Sequence, residues 1–212
     1  MRPLAIFLYE LSGKSAEPFA QAGWDCICID TQHERTWTDG TVAYIKADAR
    51  HWKPSRDQME RCRFFAAFPP CDHLAVSGAR WFKGKGLYLL AQSIELFAIA
   101  ADWMDYLESP GFIENPVSTI STYWRKPDHI CHPSDFTVWE PRDNYSKKTC
   151  LWVNDGFVMP TTARDYSLGA PDDRIHKAAP GPNRKNIRSA TPSGFMRAVF
   201  DANFNEQARV AA

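Results

Sequence analysis

The chain has 212 residues, 44% of them apolar, which suits one domain with a sizeable core, and residues 1–212 are expected to fold as a single unit. Its 25 basic and 25 acidic residues balance, which excludes a global field drawing the protein to nucleic acid or an anionic membrane, so any polyanion site must be a local patch. No segment approaches the roughly 20 apolar residues of a membrane span, and Met1–Tyr9 reaches Glu10 too soon for a signal peptide, so a cytoplasmic protein without membrane partners is expected.

In chain order, Leu4–Tyr9 reads as a first strand, followed by a turn carrying Ser12 and Gly13 and a helix from about Ala16 to Ala22 that Gly23 closes. Cys26–Asp30 is a second strand, Val42–Lys46 a third and Arg63–Phe68 a fourth, each running into a polar or Pro-rich loop. Apolar runs alternating with helices predict an α/β fold, a mostly parallel sheet flanked by helices, with ligands bound in loops at the carboxyl ends of the strands. Leu87–Leu107 is a long packing helix with Leu90, Ile94, Phe97 and Ala101 at helical spacing. Gly111–Ile113 forms a further strand that delivers Glu114 to the same edge, and Thr149–Val153 another after the loops marked by Pro127, Pro133 and Pro141. Residues 154–188 make an irregular excursion rich in Pro, Gly and charge, and a last helix runs from about Pro192 to Asn203.

The six cysteines, at positions 26, 28, 62, 71, 131 and 150, lack C-x-x-C spacing and are expected as reduced thiols. His129, Cys131 and His132 form one cluster of metal-ligating types without a second, so no metal is expected.

Four constellations carry chemistry. Glu10-Leu-Ser12-Gly13 is a small turn whose amides can approach a ligand at a helix start; the alternative is a plain strand-to-helix turn. Asp30, ending the second strand, stands where a carboxylate holds a ribose diol, and Asp48 where an adenine amino group can be bound; the alternatives are a surface aspartate and a helix cap. Phe64–Phe68 runs into Pro69-Pro70-Cys71, where two prolines stiffen the backbone and aim the thiol, as a nucleophile requires; the alternative is a buried structural cysteine. Glu114-Asn115-Pro116 ends a strand at the same edge, and its carboxyl group can serve as the proton donor for thiol attack on an aromatic ring; the alternative is a turn-forming or capping role.

With Tyr9–Gly13, the Pro69–Trp81 segment, Glu114-Asn115-Pro116, Arg125–Asp128, Ser146–Trp152 and Arg188–Gly194, the chain resembles DNA (cytosine-5) methyltransferases, and more closely short phage- and prophage-type proteins of that kind. The resemblance implies a class I methyltransferase fold and S-adenosyl-L-methionine as cofactor, with Glu10, Ser12, Gly13, Asp30, Asp48, Pro69 and Ser189 on the cofactor side. It implies that Cys71 adds to C6 of cytosine while Glu114 assists at N3, with Asn115, Lys147, Lys148 and Thr149 on the substrate side. It also implies a DNA partner, cytosine-containing, and a host-cytoplasm location if the chain is phage-encoded. Local charge adds Arg80, which with Lys83 and Lys85 follows the Cys71 loop among Trp81 and Phe82, and a late basic group of Arg174, His176, Lys177, Arg184, Lys185 and Arg188; such groups can grip phosphates and stack bases, and the alternative is a solvated surface.

The turn lacks the second glycine of the larger enzymes, having Lys14 and Ser15 instead, and the segment Asn154–Ile187 before the last matching motif is too short for a separate target-recognition domain, so a separate recognition protein is a further expected partner. An amino-methyltransferase would carry Asp, Asn or Ser before Pro-Pro and an aromatic after it, by resemblance to that family, where this chain has Phe68 and Cys71. Two other readings stay open: a cofactor- or DNA-binding protein without turnover, and a modifier of free cytosine nucleotides.

Overall fold

The computed structural model describes residues 1–179, 181 and 184–205. Pro180, Pro182 and Asn183, part of the 154–188 excursion, lie outside the described residues. The described residues fall into two compact units, 1–129 with 149–157, and 130–148 with the described residues from 158 to 205.

The elements of the chain are β1 (Leu4–Leu8), α1 (Glu17–Gln21), β2 (Asp25–Asp30), β3 (Trp37–Asp39), β4 (Val42–Lys46), α2 (Arg56–Arg61), β5 (Cys62–Ala67), α3 (Phe82–Lys85) and α4 (Leu87–Leu107). They continue with β6 (Gly111–Pro116), α5 (Ile120–Tyr123), β7 (His129–Cys131), β8 (Thr149–Val153), α6 (Arg184–Ser189) and α7 (Ser193–Phe204). The strand order is β3-β4-β2-β1-β5-β6-β8-β7, a mostly parallel α/β sheet compatible with a Rossmann-like fold. The β3–β4 and β6–β8 pairs are antiparallel.

In the first unit, β1, β2, β4, β5 and β6 run the same way, so their carboxyl ends share one edge. The order reverses at β1, with β2 and β4 on one side and β5 and β6 on the other. Alternation along the strands sorts the core into two faces. Ile6, Leu8, Phe65, Ile113 and Trp152 cluster with Phe97, Ala100 and Met104 of α4. Phe7 and Phe64 belong to the opposite set, and Phe19 of α1 stacks on Phe64 at 4.6 Å and meets Phe7 edge-on at 5.5 Å. A phenylalanine so buried stabilises the fold by about 1.5–3 kcal/mol, so these rings outweigh any surface ion pair here.

By length and composition α4 reaches what a membrane-crossing helix requires, against the expectation that no segment does. The sequence reading missed this because Glu95, Asp102 and Asp105 punctuate the segment without lowering its mean hydropathy enough. One side of α4 is nonetheless committed to the sheet: Phe97 meets Trp152 edge-on at 5.2 Å, and Met104 is 1% exposed.

A correction concerns Glu114-Asn115-Pro116. These residues do not form a loop after a short strand; they continue β6, with Glu114 opposite Leu151, Asn115 opposite Cys150 and Pro116 opposite Thr149. The antiparallel β8 supplies hydrogen-bonding partners beyond the end of the parallel neighbour β5, so the strand persists through what reads locally as a turn.

In the second unit, α7 packs on the 3-10 turn Pro133–Phe136. Phe195 lies 5.2 Å from Phe136, the Gly194 amide donates to Asp143 Oδ2 at 2.8 Å, and Trp139 Nε1 donates to Asp201 Oδ2 at 2.8 Å. Pro192 is the residue before the first turn of this helix rather than within it. The excursion contains α6 and a 3-10 turn at Tyr166–Leu168.

Candidate functional site

Two loops meet at the carboxyl edge of the sheet, one after β5 and one after β6. The Asn115 side chain, 1% exposed, donates from Nδ2 to the Pro69 carbonyl oxygen at 2.9 Å. Beyond it, the Val76 amide donates to the Val117 carbonyl at 2.9 Å and the Thr119 amide to the Leu74 carbonyl at 3.0 Å. The Pro69-Pro70-Cys71 loop and the Glu114-Asn115-Pro116 strand are thus fastened together across 46 residues of sequence. The Cys71 carbonyl accepts from the amides of Leu74 and Ala75, which folds the chain back immediately after the thiol.

Five of the six cysteines are buried, whereas Cys71 is half-buried. Burial pushes the Cys26 thiol up to about 12, with Asp25 adding to it, and raises Cys28 and Cys62 as well. Those three are inert protonated thiols at neutral pH. Glu114 is half-buried with Oε1 out of water, and Asn115 Oδ1 is buried without a hydrogen-bond partner. Thr149, opposite Pro116, is buried at the start of β8. Arg80 is exposed, its guanidinium 5.0 Å from the centre of the Trp81 ring.

Beside this pair, on the other side of the point where strand order reverses, lies the turn after β1. Glu10 is buried and its carboxylate is taken up within the turn. Oε1 accepts from the Ser12 amide at 2.7 Å, the Ser12 hydroxyl at 2.6 Å and the Gly13 amide at 2.8 Å, and Oε2 accepts from the Ser15 hydroxyl. Glu10 therefore shapes the turn and keeps those two amides from a ligand, the role left open as a plain turn. Tyr9, just before it, has φ +60, a conformation costing a side chain about 1–2 kcal/mol, and its hydroxyl is anchored on the Leu96 carbonyl at 2.7 Å.

Gly13 has φ +74, and a Cβ there would stand 2.3 Å from the Tyr44 hydroxyl oxygen. Tyr44 stacks on Trp37 at 4.3 Å with the rings 7° apart, and His33 meets it edge-on at 5.5 Å with Nε2 buried and without a hydrogen-bond partner. Sequence reading missed this trio. Trp37 lies in a short exposed strand with no apolar period, and its meaning appears only once β3 pairs with β4.

Asp30 ends β2 at the same edge, 9% exposed, with Oδ1 accepting from the Gln32 amide at 2.7 Å. Asp48 is engaged by Arg50, whose Nη2 donates at 2.8 Å while the Arg50 amide donates at 3.0 Å; that hydrogen bonding holds its carboxyl below the usual range. Asp48 is thus a partner within a local turn; no helix begins there, so it does not act as the helix cap that the sequence also allowed. Ser189, Lys147 and Lys148 belong to the second unit, where Ser189 ends α6 and donates to the Asn186 carbonyl at 3.4 Å. In the same unit two cations of the 154–188 excursion are matched by neighbours, Arg174 by Asp172 and Lys177 by Asp173. Among the described residues no group of three or more His, Cys, Asp or Glu is placed to hold a metal ion.

No known protein family matches the chain, and no curated protein matches it in sequence.

Proposed function

We propose that the chain is an S-adenosyl-L-methionine-dependent methyltransferase acting on C5 of cytosine in DNA, working in the cytoplasm, that of the host if it is phage-encoded. The observation that carries this reading is the Asn115–Pro69 hydrogen bond, which joins a half-exposed thiol on a two-proline loop to a strand bearing a carboxyl group. Their place beside the reversal of strand order is where open α/β sheets bind ligands.

In this reaction the Cys71 thiolate forms a bond to C6, and the displaced electron pair makes C5 nucleophilic while Glu114 donates a proton to or hydrogen-bonds N3. C5 takes the methyl group, water takes up the C5 proton, its bonding pair re-forms the C5–C6 double bond, and breaking the C6–S bond returns the thiolate. The cofactor supplies only the methyl group. Asp30, at the carboxyl end of β2, and His33, whose Nε2 is buried and still needs a partner, are the residues that would hold it, while the Gly13 turn beside them is covered by Tyr44. A duplex substrate requires the base to leave the stack, and a separate protein supplies sequence recognition.

DNA containing 5-fluorocytosine tests the reading. Fluorine at C5 cannot depart as a proton does, so wild-type protein and cofactor should give a covalent adduct, Cys71→Ser none, and Glu114→Gln a slower one. Absence of any adduct with wild-type protein would overturn it.

A second reading has its own support. Glu10 and Asp48 are both occupied by partners in the chain, and Tyr44 lies over Gly13, which favours a protein that keeps the fold and binds DNA without turnover. Calorimetric titration with S-adenosyl-L-methionine distinguishes the two, since only the first requires binding.

A further inference from the structure

Between Asp72 and Glu95 the sequence has no carboxylate, while Arg80, Lys83 and Lys85 fall inside that stretch. The balanced total charge conceals a segment of one sign, and it starts beside Cys71. A 3-10 turn at Val76–Trp81, then α3 and the first turn of α4, shape this segment. Its large rings face water: Trp81 is 60% exposed and Tyr88 73%. Arg80 lies 5.0 Å from the centre of the Trp81 ring and Lys85 Nζ 5.9 Å from that of Phe82, so cations and π-faces alternate.

The same segment walls a cavity of about 240 Å³ lined by His73, Phe82, Lys83, Lys85, Leu87 and Leu90. Lys85 Nζ donates to the Asp72 carbonyl, which ties that wall to the residue following Cys71. His73 Nδ1 is buried without a hydrogen-bond partner. Apolar side chains with two lysines among them match a flat heterocycle carrying a phosphate, rather than an apolar ligand or a metal.

We infer that this surface is a track for single-stranded DNA leading to Cys71. Bases stack on Trp81 and Tyr88, the nucleotide next to the target sits in the cavity, and Arg80 and Lys83 meet phosphates. An unpaired strand is the occupant because exposed aromatic faces bind base faces, and in a duplex those faces are covered by neighbouring bases. The choice of DNA rests on the methyltransferase reading, but the test needs no methyl transfer.

Fluorescence anisotropy with a labelled cytosine-containing oligonucleotide, alone and annealed to its complement, provides that test. The single strand should bind more tightly than the duplex. Trp81→Ala should weaken the single strand by about tenfold, and Lys83→Ala should lower the slope of log affinity against log salt by about 0.7. Both side chains are exposed, so both variants keep the fold. Protein that binds the single strand through Trp81 yet forms no 5-fluorocytosine adduct upholds the track and overturns the catalytic reading. A duplex bound as tightly as the single strand, or an affinity unmoved by both substitutions, overturns the track.

Discussion

The Asn115 amide nitrogen holds the Pro69 carbonyl at 2.9 Å, so the backbone that presents Cys71 takes its position from the strand that presents Glu114. Two prolines fix the loop internally, but only an outside contact fixes it relative to the sheet. Asn115→Ala should leave the Pro69 carbonyl without this donor and cost about 1–3 kcal/mol, read as a lower urea midpoint. The freed loop should also let iodoacetamide alkylate Cys71 faster. Unchanged stability together with an unchanged alkylation rate would show that the bond does not position the loop.

Cysteine labelling offers a second test. At neutral pH in native buffer, iodoacetamide should modify Cys71 first, because the other five thiols are buried and burial raises the proton affinity of Cys26, Cys28 and Cys62. Intact-mass measurement should show one adduct per chain natively and six in urea, and Cys71→Ala should remove the native one. Early modification at another position would contradict the burial pattern.

Gly13→Ala should destabilise the fold by about 1–3 kcal/mol, since φ +74 strains any side chain and the new Cβ meets the Tyr44 hydroxyl. Part of the cost is steric, so Tyr44→Ala should make the double variant less unstable than the two single losses added together. Strict additivity in thermal denaturation would mean that Tyr44 does not cover the turn.

In the second unit, Glu140 is buried and held down to about 2 from its ordinary 4.5, chiefly by hydrogen bonds from Arg142 and further by Arg197. A carboxyl group with a lowered folded-state pKa stabilises above its unfolded pKa, and that contribution is lost as pH falls through the folded one. Stability should therefore decline between about pH 4.5 and about 2, and Glu140→Gln should flatten that part of the curve. Identical acid profiles for wild type and Glu140→Gln would exclude the role.

Much of the sheet is legible in the sequence because parallel strands are buried on both faces and read as unbroken apolar runs, as Leu4–Leu8 and Cys26–Asp30 do. The strand Trp37–Asp39 is not legible, since all three residues are exposed and the antiparallel partner defines it. Glu114-Asn115-Pro116 reads as a turn for the opposite reason: its local chemistry is that of a loop, and the pairing that overrides it comes from residues 149–153. Asp48 and Glu10 look ligand-facing because position on a strand end says nothing about a competing Arg50 or Ser15 close by. The division into two units has no composition boundary to announce it, because the first unit is itself discontinuous in sequence.

That discontinuity bears on biogenesis. On a ribosome, β1 to β6 emerge first, while the antiparallel partner of β6 waits until the whole stretch from Val117 to Lys148 has been made. Until then the flank of β6 that carries Glu114 to Pro116 is an open strand edge, able to pair with another nascent chain. Slow translation across residues 117–148 would lengthen that exposure, and a chaperone that shields β strands would find its client in this interval.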